Sequence, residues 1–224
     1  MLTGKTLFSF TLLLLLCIPF GFNADKYDKI YYISLGDSYA VGDRPLPGNN
    51  TTPAYSYANA LYDLLKGKHQ NLELLKLGIS GISSDGLINK ELNNATDFMK
   101  SHIGSIMLIT ITIGTNDFHK CFKNSLNHLM KILNNIVIPQ LKEAGGENVQ
   151  YMASTYYLLP SLDDSLIDVY SKNGFKVVDL RTIITNDTMC NYTYWCTNRD
   201  RHPNHEGHRV IGEHFYEILG GSLK

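Results

Sequence analysis

The chain has 224 residues, of which 44% are hydrophobic and 18% are charged. This composition is typical of a globular protein with one sizeable core, and the length leaves no room for two full domains. The formal net charge of −1 provides no basic surface for a phosphate backbone, so a nucleic-acid partner is not expected.

The first 24 residues have the pattern of a secretory signal peptide. Lys5 precedes the uncharged run LFSFTLLLLLCIPF, which is shorter than the roughly 20 residues of a membrane-spanning helix. A polar segment follows, so cleavage is expected near Ala24. A retained N-terminal anchor is the alternative. We therefore expect a secreted or periplasmic protein whose mature part, residues 25–224, is a single domain with no transmembrane span.

Export would allow disulfide bonds to form. Three cysteines remain after cleavage, Cys121, Cys190 and Cys196. The last two flank NYTYW and could close a short loop, but the odd count leaves the pairing open. Three cysteines are too few for a disulfide framework, so the core must supply most of the stability.

Short β-rich segments alternate with helical patterns along the mature chain. The segments that predict strands are 30–35, 72–77, 105–113, 148–154 and 175–180. The third, SIMLITITI, is almost continuously apolar or β-branched, as in a strand buried on both faces of a parallel sheet. The alternation predicts an α/β fold in which helices cover both sides of a parallel sheet.

Four helices are predicted between and after these strands. Thr52 and Pro53 suit the N-cap and first position of one helix, and two others are expected near Pro160 and from about Pro203. The expected inward faces are Ala54, Tyr57, Ala58, Leu61, Leu64 and Leu65 in the first helix, Leu126, Leu129, Met130, Leu133 and Val137 in the second, and Val210, Ile211, Phe215, Ile218 and Leu219 in the last.

The loops that follow the strands carry the candidate chemistry, because ligands of open parallel sheets bind outside the carboxyl ends of the strands. The first three strands lead into GDSYAVG, GISG and GTND, and RDRH precedes the last helix. We expect Ser38, Gly81, Asn116 and His202 to meet on one rim. Asp37 and Asp117 follow glycine-led turns and are expected to bind nearby backbone amides.

These groups supply the parts of an acyl-transfer site. A serine needs a base to become a nucleophile, and histidine is the usual base at neutral pH. The N–H groups of Ser38 and Gly81 and the side-chain amide of Asn116 could stabilise an oxyanion. Glycine at position 81 would let a substrate carbonyl approach without meeting a side chain.

His202 is the candidate base, because Pro203 in a first helical turn would leave His202 on the rim. His205 and His208 would lie within the helix. A metal site made of the three histidines is the weaker hypothesis, since their spacing drifts around the helix and HEGH does not match HExxH. No metal and no cofactor are expected.

Together these loops resemble the SGNH, or GDSL-type, hydrolase family of esterases and lipases, over about residues 30 to 220. The resemblance implies that Ser38 is the nucleophile, that Gly81 and Asn116 complete the oxyanion hole, and that His202 is the base. It also implies a flavodoxin-like, three-layer α/β/α sandwich with a mainly parallel five-stranded sheet. The G-x-S-x-G elbow of the α/β-hydrolases is absent.

The orienting acid departs from the family pattern. That pattern places an aspartate three residues before the histidine, where this chain has Arg199, and Asp200 is one residue too close. A bulged loop could still bring Asp200 to the imidazole, a backbone carbonyl could replace it in a Ser–His dyad, or the site could be impaired. Asp200 is the favoured candidate.

The sequence therefore predicts an exported serine esterase or lipase that cleaves a carboxylic ester of a lipid or an acylated carbohydrate through an acyl-enzyme intermediate. A monomer is expected. The alternative is a catalytically weak relative that binds acylated glycan or lipid without turnover.

Overall fold

The computed structural model describes residues 29–43, 54–118 and 122–224. The predicted signal peptide, the predicted helix start at Thr52 and Pro53, and Cys121 lie outside the described residues. Within the described ranges, no helix combines the length and hydropathy that crossing a bilayer requires.

The core of the fold is a sheet of five strands that all run parallel, as predicted. The strands are β1 (Ile30–Gly36), β2 (Leu72–Lys76), β3 (Ile106–Thr112), β4 (Gln150–Ser154) and β5 (Lys176–Val178). Their order in the sheet is β2-β1-β3-β4-β5. Because β1 lies between β2 and β3, the loops that follow these three strands are neighbours at one edge of the sheet.

Helices cover both faces of this sheet and complete the predicted three-layer arrangement. The α-helices are α1 (Ser38–Val41), α2 (Tyr57–Lys66), α3 (Ser84–Leu87), α4 (Asn93–Ser101), α5 (Phe122–Ile132), α6 (Ile138–Gly145), α7 (Pro160–Lys172), α8 (Met189–Tyr192), α9 (Trp195–Asn198) and α10 (His205–Leu219). Single π-helical segments, Ile88–Leu92 and Leu133–Val137, join α3 to α4 and α5 to α6. The segment of α3 and α4 was not predicted.

The last helix begins later than the sequence suggested. Asn204 is its N-cap, and the Asn204 side chain accepts the N–H of Gly207 at 2.9 Å. Pro203 forms an antiparallel bridge with Thr193 instead, so the prediction that Pro203 opens the helix is wrong. Similarly, α2 begins at Tyr57, after an N-cap at Ser56.

The predicted inward faces are largely correct. Three residues are exceptions. Leu64 is 37% exposed and Ile218 is 38% exposed, both near the ends of their helices. Ala54 precedes α2 and does not belong to its face. The helices α2 and α10 pack closely at Gly212, because a Cβ atom there would lie 2.5 Å from the Cβ of Ala60.

Candidate active site

The candidate nucleophile stands directly after β1, which lies between β2 and β3 in the sheet. Gly36 has φ +121°, and a Cβ atom there would lie 2.0 Å from the carbonyl oxygen of Thr112, so only glycine fits this turn. Asp37 caps α1, and Ser38 is the first residue of that helix. The turn thus presents Ser38 at the carboxyl end of the sheet, where the sequence placed it.

Ser38, His202 and Asp200 form a continuous chain of hydrogen bonds. The Oγ of Ser38 lies 2.9 Å from the Nε2 of His202, and the Nδ1 of His202 lies 2.6 Å from the Oδ1 of Asp200. The same carboxylate oxygen accepts the backbone N–H of His202 at 2.7 Å. Because a carboxylate only accepts, this arrangement places the imidazole hydrogen on Nδ1 and leaves Nε2 free to accept from Ser38.

A turn at Arg199 brings the displaced aspartate into place. Arg199 ends α9 with φ 57°, and no other residue except glycine has a positive φ in the described part of the chain. Left-handed backbone of this kind is uncommon for a residue with a side chain. Of the three alternatives for the acid, the structure has the one in which Asp200 reaches the imidazole through an irregular loop.

The three predicted oxyanion donors lie on adjacent loops. The side-chain amide of Asn116 donates to the carbonyl of Ile82 at 3.0 Å, which fixes the amide beside the turn that contains Gly81 and leaves its second N–H available. The N–H groups of Ser38 and Gly81 donate to no other described residue. Gly81 has φ +72° and a Cβ atom there would meet nothing within 4 Å, so backbone conformation rather than crowding favours glycine.

A surface cavity of about 470 Å³ opens over the hydrogen-bonded chain. It is lined by Ser38, Tyr39, Thr115, Asn116, Leu158, Asn198, Arg199, Asp200, Arg201 and His202. Gly81 is the one predicted site residue that does not line this cavity. The cavity is therefore the space in which a substrate would meet Ser38.

Asp37 stabilises the turn beneath Ser38. It is fully buried and accepts the N–H of Tyr39 at 3.1 Å, the hydroxyl of Thr112 at 3.3 Å and the hydroxyl of Tyr156. Burial raises the pKa of the Asp37 carboxyl to about 6, against the lowering effect of these hydrogen bonds.

Asp117 stabilises the loop after β3. Its carboxylate accepts the backbone N–H and the hydroxyl of Ser84. Asp37 therefore binds a nearby backbone amide, as its position in a glycine-led turn predicted, whereas Asp117 binds an amide 33 residues away and joins two loops.

Glu91 was missed by sequence reasoning. It is 1% exposed, and its two carboxylate oxygens accept the N–H of Gly36 at 2.9 Å and the N–H of Ile79 at 3.1 Å. It therefore connects the end of β1 to the loop after β2, which carry Ser38 and Gly81. Burial raises the pKa of Glu91 to about 8. The sequence around it gives no signal of this contact.

The three histidines of the RDRHPNHEGH segment have separate partners. His205 stacks on Tyr55 with ring centroids 4.5 Å apart. His208 is buried and its Nδ1 accepts the N–H of Tyr57 at 3.2 Å, and burial lowers the pKa of His208 to about 3. Only His202 faces Ser38. In the described ranges, no group of three or more His, Cys, Asp and Glu side chains is placed to hold a metal ion.

The segment that carries the base is fastened to the rest of the fold. A disulfide joins Cys190 to Cys196, the pair that flanks NYTYW. The N–H of Tyr194 donates to the carbonyl of His202 at 3.1 Å, next to the bridge between Thr193 and Pro203. These contacts fix the loop on which Asp200 and His202 lie.

A comparison with family models identifies one family. A model of the GDSL-like lipase/acylhydrolase family matches residues 34–210. A search of curated proteins found no match.

Several solved structures share the fold. A putative GDSL-like lipase from Parabacteroides merdae is 17% identical, with a TM-score of 0.66 over 87% of this chain and 97% of that one. An acetylxylan esterase from Geobacillus stearothermophilus is 17% identical, with a TM-score of 0.64 over 87% and 96% of the two chains. An α/β hydrolase from the metagenome of Lake Arreo, Spain, is 20% identical, with a TM-score of 0.61 over 87% and 98%.

The family match covers most of the chain and includes the segments of Ser38, Gly81, Asn116 and His202. The chain belongs to the GDSL-like lipase/acylhydrolase family, and it is a serine hydrolase that acts on ester bonds.

Proposed function

We propose that this chain is an exported serine esterase that hydrolyses carboxylic esters through an acyl-enzyme intermediate. The observation that carries the proposal is the hydrogen-bonded chain of Ser38, His202 and Asp200 at the base of the cavity. A nucleophile, a base and a group that orients the base are the three parts that such catalysis needs.

In the first step, the Oγ of Ser38 bonds to the ester carbonyl carbon while the Nε2 of His202 takes the hydroxyl proton. Negative charge develops on the carbonyl oxygen, where the N–H groups of Ser38 and Gly81 and the amide of Asn116 would stabilise it. The bond from carbon to the alcohol oxygen then breaks. His202 gives its proton to that oxygen, and the alcohol leaves.

In the second step, water repeats the sequence on the acyl-enzyme. His202 takes a proton from the water as its oxygen bonds to the acyl carbon. The bond to Ser38 breaks, Ser38 regains a proton from His202, and a carboxylic acid leaves. Throughout both steps, the carboxylate of Asp200 stabilises the imidazolium form of His202.

The substrate is a small-molecule ester, and we propose an acylated carbohydrate or a lipid. The acetylxylan esterase among the similar structures supports testing acetylated sugars first. Its identity to this chain is low, so the support extends to the class of ester and not to a particular sugar.

Export is the second part of the proposal. The disulfide between Cys190 and Cys196 supports it, because disulfides persist mainly in exported proteins. Expression of the full chain with a C-terminal tag, followed by N-terminal sequencing of the released protein, tests this directly. A new N-terminus near Asp25 in the medium or periplasm is expected, whereas full-length protein held in the membrane fraction would mean a retained anchor.

Hydrolysis of p-nitrophenyl acetate, a longer-chain p-nitrophenyl ester and an acetylated xylo-oligosaccharide tests catalysis. We expect Ser38→Ala and His202→Ala to lose activity by roughly 10⁴-fold or more. His205→Ala is the matched control and should retain activity, as should wild type treated with a chelator. If wild type is no faster than Ser38→Ala on every ester, the catalytic proposal fails and the binding-only alternative takes its place.

A further inference from the structure

We propose that the cavity over Ser38 selects esters whose alcohol portion carries an anionic group, and that Arg199 and Arg201 bind this anion. The proposal rests on the proposed esterase activity and names the substrate class of the same site. The anion could be a phosphate, a sulfonate or a carboxylate, because a guanidinium binds each of them through paired hydrogen bonds.

The lining of the cavity has a local excess of positive charge. Arg199 and Arg201 both line it, and the one carboxylate in the lining, Asp200, is already engaged by His202. The chain as a whole has a formal net charge of −1. The excess positive charge is therefore a property of this cavity and not of the protein surface in general.

These two guanidinium groups also lack carboxylate partners. The other described arginines, Arg181 and Arg209, each form ion pairs with two carboxylates. Neither Arg199 nor Arg201 has a carboxylate oxygen within ion-pair distance among the described residues. Two unpaired cations at the rim of one cavity repel each other, so a bound anion would lower their energy.

The two side chains are held in place by an aromatic ring. The Cζ of Arg201 lies 5.1 Å and the Cζ of Arg199 lies 5.5 Å from the centre of the Trp195 ring. Trp195 lies between Cys190 and Cys196 in sequence, within the loop that the disulfide closes. The hydroxyl of Tyr157 donates to the carbonyl of Arg201 and fixes its backbone as well. Groups held in this way lose less conformational entropy when a ligand binds.

The position of the arginines indicates which half of the ester carries the anion. Both flank Asp200 and closely precede His202, the residue that would protonate the leaving alcohol. The oxyanion donors come instead from the loops of Ser38, Gly81 and Asn116 at the sheet. The leaving alcohol must lie on the side of His202, so an anion on the alcohol lies nearest to Arg199 and Arg201.

A pair of phenyl acetates with para groups of similar size and shape, one charged and one neutral, tests the proposal. The anionic probe is para-sulfophenyl acetate, and the neutral probe is para-sulfamoylphenyl acetate. The measured quantity is the ratio of kcat/KM for the anionic ester to kcat/KM for the neutral one, which cancels general losses of activity. We expect a ratio of roughly 10 in the wild type at about 0.1 M ionic strength, falling toward 1 at about 1 M salt.

Substitutions then assign the preference to the two side chains. Arg199→Asn removes the positive charge at position 199, and asparagine is chosen because it tolerates the left-handed backbone there. Arg201→Gln removes the positive charge at position 201. Each should lower the ratio by about threefold, and the double variant should bring it near 1. Lys90→Gln removes a positive charge from an exposed helical position that does not line the cavity, and its ratio should equal that of the wild type.

The outcomes separate the two proposals. A wild-type ratio at or below 1, or an unchanged ratio in the double variant, overturns the anion site while Ser38-dependent hydrolysis still supports the esterase. No Ser38-dependent hydrolysis of either probe overturns both. Two further anionic esters, acetylglycerol phosphate and an acetylated sugar acid, are each compared with an uncharged counterpart. The comparison shows whether the site prefers a phosphate or a carboxylate. If neither anionic ester is preferred over its counterpart, this result also counts against the anion site.

Discussion

Asp200 lies only two residues before His202, and its Oδ1 nevertheless lies 2.6 Å from the imidazole Nδ1. The backbone N–H of His202 donates to the same oxygen, so one carboxylate fixes both the loop and the ring. The left-handed turn at Arg199 makes this short spacing possible. Asp200 and His202 thus have the geometry of a triad although only one residue separates them in sequence. The family pattern has two residues between the aspartate and the histidine.

Replacing Asp200 with asparagine should lower kcat by about 10³- to 10⁴-fold, because an amide no longer stabilises the imidazolium and favours the wrong tautomer of His202. Steady-state kinetics on p-nitrophenyl acetate measures the effect. Asp187→Asn, at an exposed position, should match the wild type. A change of less than about threefold in Asp200→Asn would mean that the protein works as a Ser–His dyad.

Asn116→Ala should lower kcat by about 10²- to 10³-fold with little change in KM, because one oxyanion donor is lost. The amide of Asn116 is anchored by the carbonyl of Ile82, so its removal should not disturb the nucleophile itself. Asn94→Ala, on the exposed face of α4, provides the comparison. An equal loss of activity in both variants, or a rise in KM alone, would argue against a role for Asn116 in the oxyanion hole.

The contribution of Glu91 to stability should fall as the pH rises from about 4.5 to about 8. Burial raises the pKa of Glu91 from 4.5 to about 8, so the folded state binds this proton more tightly than the unfolded state does. The resulting contribution to the free energy of unfolding is fully present below about pH 4.5 and is lost as the pH passes the folded pKa. Asp37, with a pKa raised to about 6, acts in the same direction at lower pH.

Melting temperatures measured from about pH 5 to about pH 9 test this linkage. Glu91→Gln cannot ionise, so its melting temperature should depend less on pH than that of the wild type, whatever its absolute stability. Glu143→Gln, at an exposed position of α6, should keep the wild-type slope. Parallel curves for Glu91→Gln and wild type would show that Glu91 does not carry the effect.

Reduction of the disulfide should destabilise the protein by about 2 kcal/mol, because Cys190 and Cys196 are only six residues apart and close a small loop. For a chain of this size, the melting temperature should fall by about 4 to 8 °C. A double variant, Cys190→Ser with Cys196→Ser, should melt at the temperature of the reduced wild type and should not respond to reductant. If reductant lowers the melting temperature of the double variant, the effect does not come from the disulfide between Cys190 and Cys196.

The sequence predicted the strands and the rim residues well, for a physical reason. A strand buried on both faces, such as β3, has an unmistakable apolar run, and glycine-led loops mark where such strands end. The α3–α4 segment was missed because the π-helical turn at Ile88–Leu92 changes its period. Its buried apolar residues are Leu87, Leu92, Ala95 and Met99, and the first step of five residues does not match an α-helical stripe.

The supporting contacts of the site could not be predicted from local patterns. Glu91 is 55 residues from its partner Gly36, and Tyr156 is 119 residues from Asp37. Such pairs depend on how the strands and helices are arranged in space. The sequence also could not show whether Asp200 contacts His202, because the backbone conformation of Arg199 cannot be predicted from the neighbouring residues.

The two halves of the catalytic machinery belong to different parts of the fold. Ser38 and the oxyanion donors follow adjacent strands of the sheet, whereas Asp200 and His202 lie on the segment between α9 and α10. The contacts that secure that segment include one disulfide, one bridge, a helix cap and the hydrogen bond from Tyr157 to Arg201, and none of them is strand pairing within the sheet. Local opening there separates the base from its nucleophile while the sheet stays intact. Enzyme activity should therefore disappear at a lower denaturant concentration than the far-ultraviolet circular dichroism signal.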